Sequence, residues 1–301
     1  MPDSCVTLEA DLDCRRALPW PRATGESLAE FLALHETDAN LLGCLLRRLS
    51  GRLSLGPVEP AAGVGFFESD DVLLRKRPLA GKEPAFERLA DGVQSEAALI
   101  TSGVVGAGLR SFDERRTLPF RFKRWLFAVA GQPELLRPAR DSLVATLPEY
   151  LRRAVTGESA AESLFFTFLA RLRDAGRLDD IDVDAQTAAR ALAAAVGVAE
   201  RAFEQQGSPL PAMAVVATNG RVMAALRRGH PLWLGEIEGL LPCARCEISQ
   251  GARPLDPRLT EHRNLRAAVL VSGAQNQPEG FRELAEGEIL AVPRDLRIVP
   301  L

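Results

Sequence analysis

The feature that most constrains this chain is a hydrophobic period that changes twice. Up to about residue 138 and again after residue 207, most apolar runs are short, partly β-branched and punctuated by turn residues. From Pro138 to Gln206 the apolar positions recur at helical intervals instead. Strands separated by a helical block satisfy their edges by meeting in sheets on which the helices pack. The expected class is therefore α+β, with one domain over 1–301 in which 207–301 is a strand-rich part of the same fold.

Within that frame, "SCVTLEA" is a strand candidate, and Glu26 to Leu53 carries leucines and phenylalanine at mostly helical spacing, which predicts one helix broken near Thr37-Asp38. "GVGFFESDDVLLRKRP" predicts a hairpin with an acidic turn, Gly63 and Gly65 permitting a tight entry and Pro78 closing it. "AALITSGVVGAGLR" and "RWLFAVAG" predict a second strand pair deep in a sheet. Three helical stretches follow: one from Pro138 that continues despite Pro148, one ending at Gly176, and one opening on acidic residues and closing at Gly207. "AMAVVATNGRVMAALRRG" predicts a hairpin about Asn219-Gly220. "RNLRAAVLVSG", "GEILAVP" and "LRIVPL" complete the strand set, and no repeat or linker demands a domain boundary.

A content of 47% hydrophobic residues supports a sizeable core, and a formal charge of -3 gives no bulk attraction to nucleic acid or an anionic membrane. The Arg47-Arg48 and Arg227-Arg228 pairs read as solvated edges, and "RRTLPFRFKRW" as a solvated rim. "TSGVVGAG" lacks the Gly-Lys-Ser/Thr ending of a phosphate loop. The opening "MPDSCVTLEADLDC" lacks the basic start and apolar core of a signal peptide, so the expected location is cytoplasmic, without a membrane span.

Five cysteines are an odd number for a disulfide framework and favour free thiols or a metal. Cys243 and Cys246 form a Cys-x-x-Cys pair with His230 upstream and His262 downstream, and two thiolates with two imidazoles would close a tetrahedral structural zinc site. A reduced thiol pair and a loop-stabilising disulfide are the other readings of that pair. No further cofactor is expected. His35 reads as a surface or satisfied core residue. The alanine-rich "ARALAAAVGVAERAF" permits close helix packing, including packing against a second copy or a partner subunit.

Several of these pieces, in order, resemble the class II glutamine amidotransferase family. "GVGFFESDDVLLRKRP" is similar to the family's Gly-x-Gly strand and hairpin. "GAGLR" falls where a His-x-Arg element is expected, "RTLPF" where Asn-x-His-Pro-Phe is expected, "AVAG" on the His-Asn-Gly turn and "SAAES" on the Thr-Asp-Ser-Glu helix start. "GFRELAEGEILAVPRDLRIVPL" resembles the family's closing segment. The resemblance implies a four-layer αββα sandwich of the N-terminal-nucleophile (Ntn) hydrolase kind.

It also implies a demanding chemistry. Glutamine hydrolysis by this route needs an N-terminal cysteine whose α-amine serves as base. It needs an Asn and a Gly N–H around the oxyanion, an Arg for the substrate carboxylate and an Asp for its ammonium. Carried over residue by residue, Arg110 matches the carboxylate-binding Arg and Gly131 the oxyanion Gly. Ala130 replaces the Asn, Val129 the preceding His and Ala160 the Asp, while Gly108 and Leu118 replace two further histidines. Cys5 could act as nucleophile only if "MPDS" were removed as a propeptide, and otherwise reads as a small apolar strand residue. Cys14 reads as an incidental thiol.

The expected function is that of a non-catalytic, amidotransferase-like protein binding a small carboxylate or serving regulation. Two alternatives are an active cysteine amidohydrolase after propeptide removal at Cys5 and a structural or interaction subunit.

Overall fold

A run buried along its whole length needs neighbours on every side, and Glu30–Glu36 (β1) finds them at the centre of an antiparallel sheet. The computed structural model describes residues 30–50, 53, 61–68, 71–78, 92–103, 105, 112–249, 257–274 and 277–301. In chain order the strands after β1 are β2 (Ala61–Glu68), β3 (Asp71–Pro78), β4 (Ala97–Ser102), β5 (Phe120–Phe122) and β6 (Trp125–Gly131). They continue with β7 (Met213–Thr218), β8 (Met223–Arg228), β9 (Leu232–Glu238), β10 (Arg266–Ser272), β11 (Phe281–Glu283), β12 (Ile289–Val292) and β13 (Val299–Pro300). The helices are α1 (Leu42–Ser50), α2 (Arg140–Ala145), α3 (Glu149–Ala154), α4 (Ala160–Asp174), α5 (Ala185–Gln205) and α6 (Pro257–Asn264), with 3-10 turns at Ala39–Leu41 and Pro133–Ala139.

One sheet has seven strands in the order β11-β9-β10-β1-β4-β2-β3, the other six in the order β13-β12-β8-β7-β6-β5. Phe31, Ala33, Leu99 and Leu270 of the first meet Leu126, Ala128, Val216 and Ala225 of the second in a dry interface. The outer face of the six-stranded sheet, with Phe127, Val129 and Val215, is covered by helices α2 to α5. The outer face of the seven-stranded sheet, with Leu32, Leu34 and Val269, is covered by α1, α6 and the chain after β9. The result is the four-layer αββα sandwich.

The helical block is locked to β5 and β6 by aromatic contacts. Phe127 stacks on Phe165 with ring centroids 5.2 Å apart, and Trp125 meets Phe168 edge-on at 4.9 Å; such pairs add about 0.5–1.5 kcal/mol each beyond the area they bury. Ser159 caps α4 by accepting from Ala161 N, and Asp184 caps α5 by accepting from Thr187 N at 2.8 Å. Both helices stop at left-handed glycines, Gly176 and Gly207, as expected from the sequence.

Several expectations need correction. The helix predicted from Glu26 to Leu53 is strand β1 followed by α1, because a continuously apolar run in a sandwich core has no period to betray it. The strands predicted to pair with each other, β4 and β6, lie in different sheets and face one another across the dry interface. Gly63 and Gly65 do not shape a tight entry. They lie inside β2, where a Cβ would collide with the Leu118 carbonyl and the Leu126 side chain respectively, so their role is close approach of the second layer. The helix expected to run through Pro148 divides there into α2 and α3.

The two hairpins β2–β3 and β7–β8 form as expected, the latter held by Asn219 Oδ1, which accepts from Arg221 N at 2.9 Å and Val222 N at 3.0 Å. The strand candidate "SCVTLEA" lies outside the described residues. Among the described residues no helix is long and apolar enough to cross a membrane.

Candidate functional site

β6 ends in the turn that the amidotransferase resemblance singled out. Gly131 has φ 101, and a Cβ there would stand 2.6 Å from the Ala212 carbonyl, so the position requires glycine. The polypeptide then enters the 3-10 turn Pro133–Ala139, whose Glu134 and Arg137 reach a cavity of about 510 Å³. The opposite wall is the start of α4, with Glu158, Ser159 and Ala160, and Val105, Arg116, Arg140 and Asp141 complete the lining. The 3-10 turn that follows Gly131 and the helix start at Ser159 and Ala160, far apart in sequence, thus line one cavity.

The start of α4 is fixed by a buried carboxylate. Glu162 accepts from Thr156 N at 3.1 Å, Thr156 Oγ1 at 3.0 Å and Gly157 N at 2.7 Å. A Cβ at Gly157 would stand 2.8 Å from Glu162 Oε2 and would push that carboxylate aside. Near this end Lys76 donates to the Glu114 carbonyl at 2.8 Å, and burial holds its ammonium down at about 8 against the opposing pull of Glu114 and Glu162.

Two of the arginines on the wall are loosely held. Arg116 stands 3.7 Å from Asp113 and Arg140 3.6 Å from Asp141, both solvent-accessible pairs of the kind worth about 0–1 kcal/mol.

Among the described residues, the positions where the resemblance expects polar groups are apolar. Ala130 is fully buried between the sheets, Val129 is fully buried against the helices, and Ala160 presents a methyl group to the cavity. Leu118 is likewise buried. Cys5, Cys14, Gly108 and Arg110 lie outside the described residues. Among the described residues no cysteine lines the cavity.

The described cysteines gather elsewhere. Sγ of Cys44, Cys243 and Cys246 and a ring nitrogen of His262 all lie within 4.8 Å of one another. The three thiols are free, and burial, the hydrogen bond with Cys246 and the charge of Cys243 push the Cys44 thiol up. The expected set therefore needs one change: His230 is not part of the cluster and Cys44 is. The reason is topological. His230 precedes β9 and Cys243 follows it, and seven extended residues span about 23 Å. His262 precedes β10, which runs antiparallel to β9, so it returns to the Cys243 end. β1 runs antiparallel to β10 and delivers α1, with Cys44, to the same place. His230 stays at the β8–β9 turn, where burial and Arg227 hold its imidazole down at about 4. Cys44 carried no local signal, because only the β1–β10 pairing brings it near Cys246, 202 residues away.

His35 is on a strand and is a satisfied core residue. Its Nε2 lies 2.9 Å from Thr218 Oγ1 on the opposing sheet.

A scan against family models finds no match to the sequence, and a search of curated proteins finds none. Solved structures do share the architecture. A glutamine aminotransferase class-II domain protein from Silicibacter pomeroyi superposes with a TM-score of 0.51 at 16% identity, covering 90% of this chain and 98% of that one. A structure described as the allosteric regulatory enzyme of purine biosynthesis gives a TM-score of 0.50 at 13% identity, covering 90% of this chain and 48% of that one. With its paired sheets, its helical layers and a left-handed glycine closing β6, the chain has the fold of a class II glutamine amidotransferase domain.

Proposed function

We propose that this protein is a non-catalytic relative of the class II glutamine amidotransferases that binds a small carboxylate in its arginine-rimmed cavity and acts as a binding or regulatory protein. The observation that carries the reading is position 160. Where the resemblance expects the Asp that neutralises a substrate ammonium, a methyl group forms the cavity wall. Ala130 adds to it, since an oxyanion donor lost from a comparable site costs on the order of 10²–10³ in rate. The three arginines remain, and a guanidinium suits a planar carboxylate because it offers two parallel donors.

The test is calorimetric titration of the full-length protein with a panel of small mono- and dicarboxylates, repeated on Arg137→Ala and Arg116→Ala. The reading expects saturable binding by at least one carboxylate, weakened about tenfold or more by either substitution, as removal of a charge-assisted pair implies. Binding unchanged in both variants, or no binding across the panel, contradicts it and favours a purely structural subunit.

A further inference from the structure

The cysteine cluster lies outside this cavity, on the far face of the seven-stranded sheet, where α1, the segment after β9 and α6 meet. Cys44, Cys243 and His262 are buried and Cys246 is partly covered. A tetrahedral ion bound through sulfur at about 2.3 Å and imidazole nitrogen at about 2.0 Å needs donor-to-donor separations of about 3.4–3.8 Å. Cys44 Sγ and Cys246 Sγ are already 3.4 Å apart. No pair exceeds 4.8 Å, so closing the set requires side-chain shifts of about 1 Å or less.

The imidazole supplies an independent observation. His262 Nδ1 lies 2.7 Å from the Arg258 carbonyl oxygen. A carbonyl only accepts, so Nδ1 carries the hydrogen, and the neutral ring keeps its lone pair on Nε2. That nitrogen is buried and has no hydrogen-bond partner among the described residues. Native structures leave few such atoms unsatisfied, and a ligating histidine commonly donates its other nitrogen to a carbonyl in this way. The Cys-x-x-Cys turn is also preset. Cys243 N donates to the Ile248 carbonyl at 2.9 Å, Ile248 N donates back at 3.0 Å, and Glu247 takes a left-handed φ of 57. A Cys44–Cys246 disulfide would leave Cys243 without a sulfur partner and His262 Nε2 still unsatisfied. One ion satisfies all four donors.

We propose that Cys44, Cys243, Cys246 and His262 bind one structural zinc ion through three thiolates and Nε2. All four positions of the tetrahedron are taken by the protein, so the ion serves architecture and not hydrolysis. It ties α1 to the β9–β10 connection, over a sheet face where these two short helices, α1 and α6, are the only helices among the described residues.

The experiment is metal analysis of the full-length protein purified under reducing conditions, followed by cobalt(II) titration of the metal-free form. The expected result is one zinc per chain, or, for protein isolated without metal, one equivalent of cobalt giving thiolate charge-transfer and tetrahedral d–d bands. Cys44→Ser and His262→Ala should each lose most of the stoichiometric metal, while His230→Ala keeps it. The wild-type cobalt spectrum does not depend on those variants folding. The proposal is overturned by an absent or octahedral cobalt spectrum, by a Cys44–Cys246 disulfide in the reduced preparation, or by full metal retention in both ligand variants.

Discussion

His35 Nε2 on β1 donates to Thr218 Oγ1 on β7 at 2.9 Å, and this bond crosses from one sheet to the other through an otherwise apolar interface. The direction follows from the rest of the network, because the Thr218 hydroxyl spends its own hydrogen on the Val222 carbonyl at 2.9 Å and also accepts from Gly220 N at 3.1 Å. Thr218→Val strands both donors. The expected cost is about 1–3 kcal/mol in urea unfolding, and a change within a few tenths would show that the cross-sheet bond contributes nothing.

Burial holds the His35 imidazole down at about 4, below its ordinary 6.5. The unfolded chain therefore binds a proton that the folded protein refuses between those two values. The stability contributed by the neutral His35 is fully present above about 6.5 and is lost as pH falls toward 4. His35→Gln should flatten this acid limb without abolishing it, because His230 has the same depressed range. Unfolding midpoints measured at pH 7 and pH 4.5 check this.

Glu36 works in the opposite direction. Burial, with Asp38 and Glu96 nearby, raises its carboxyl from 4.5 to about 9, and neither oxygen has a hydrogen-bond partner among the described residues. The folded protein keeps a proton that the unfolded chain releases. The stability that Glu36 contributes is fully present below about 4.5 and is lost as pH rises toward 9, by up to about 1.4 kcal/mol per pH unit. Glu36→Gln should be more stable than wild type at pH 8 and show a flatter alkaline limb. A variant that tracks wild type across pH 5–9 would refute the assignment.

Ala130 is packed between the sheets, so restoring the family's polar group costs stability. Ala130→Asn buries an amide in a dry interface and is expected to lose about 1–3 kcal/mol from overpacking alone. Gly131→Ala, forced into a left-handed φ against the Ala212 carbonyl, should lose a similar amount. Thermal denaturation of both variants is the measurement, and neutrality in either contradicts the packing described here.

Glu162 fastens the loop that carries Glu158, Ser159 and Ala160 to the cavity rim. Glu162→Ala leaves the Thr156 and Gly157 N–H groups without their acceptor. The expected outcome is a stability loss on the order of 1–3 kcal/mol together with weaker carboxylate binding. Unaltered affinity would separate this loop from the site.

The sequence made the layered class and most helices legible, since α4 and α5 carry both period and caps, and Asn219-Gly220 announces its hairpin. β1 was not legible as a strand. Its side chains are buried on both faces, and the alternation that identifies a strand appears only when one face meets water. The partner of β6 was hidden for a related reason, because apolar runs state burial but not which sheet receives them. At the cavity, Ala160 was readable as a position, whereas Glu134 and Arg137 lie on a turn, and Arg140 at a helix start, that no motif marks. Three of the four clustered metal-type donors were readable from spacing. Cys44 was not, because its proximity depends on strand order.

The central proposal, that a chain with the amidotransferase fold does not hydrolyse glutamine, is tested most directly by ammonia release from glutamine by the purified full-length protein. The account predicts a rate indistinguishable from the protein-free control at saturating glutamine. Saturable glutamine turnover that disappears in Cys5→Ala would contradict it.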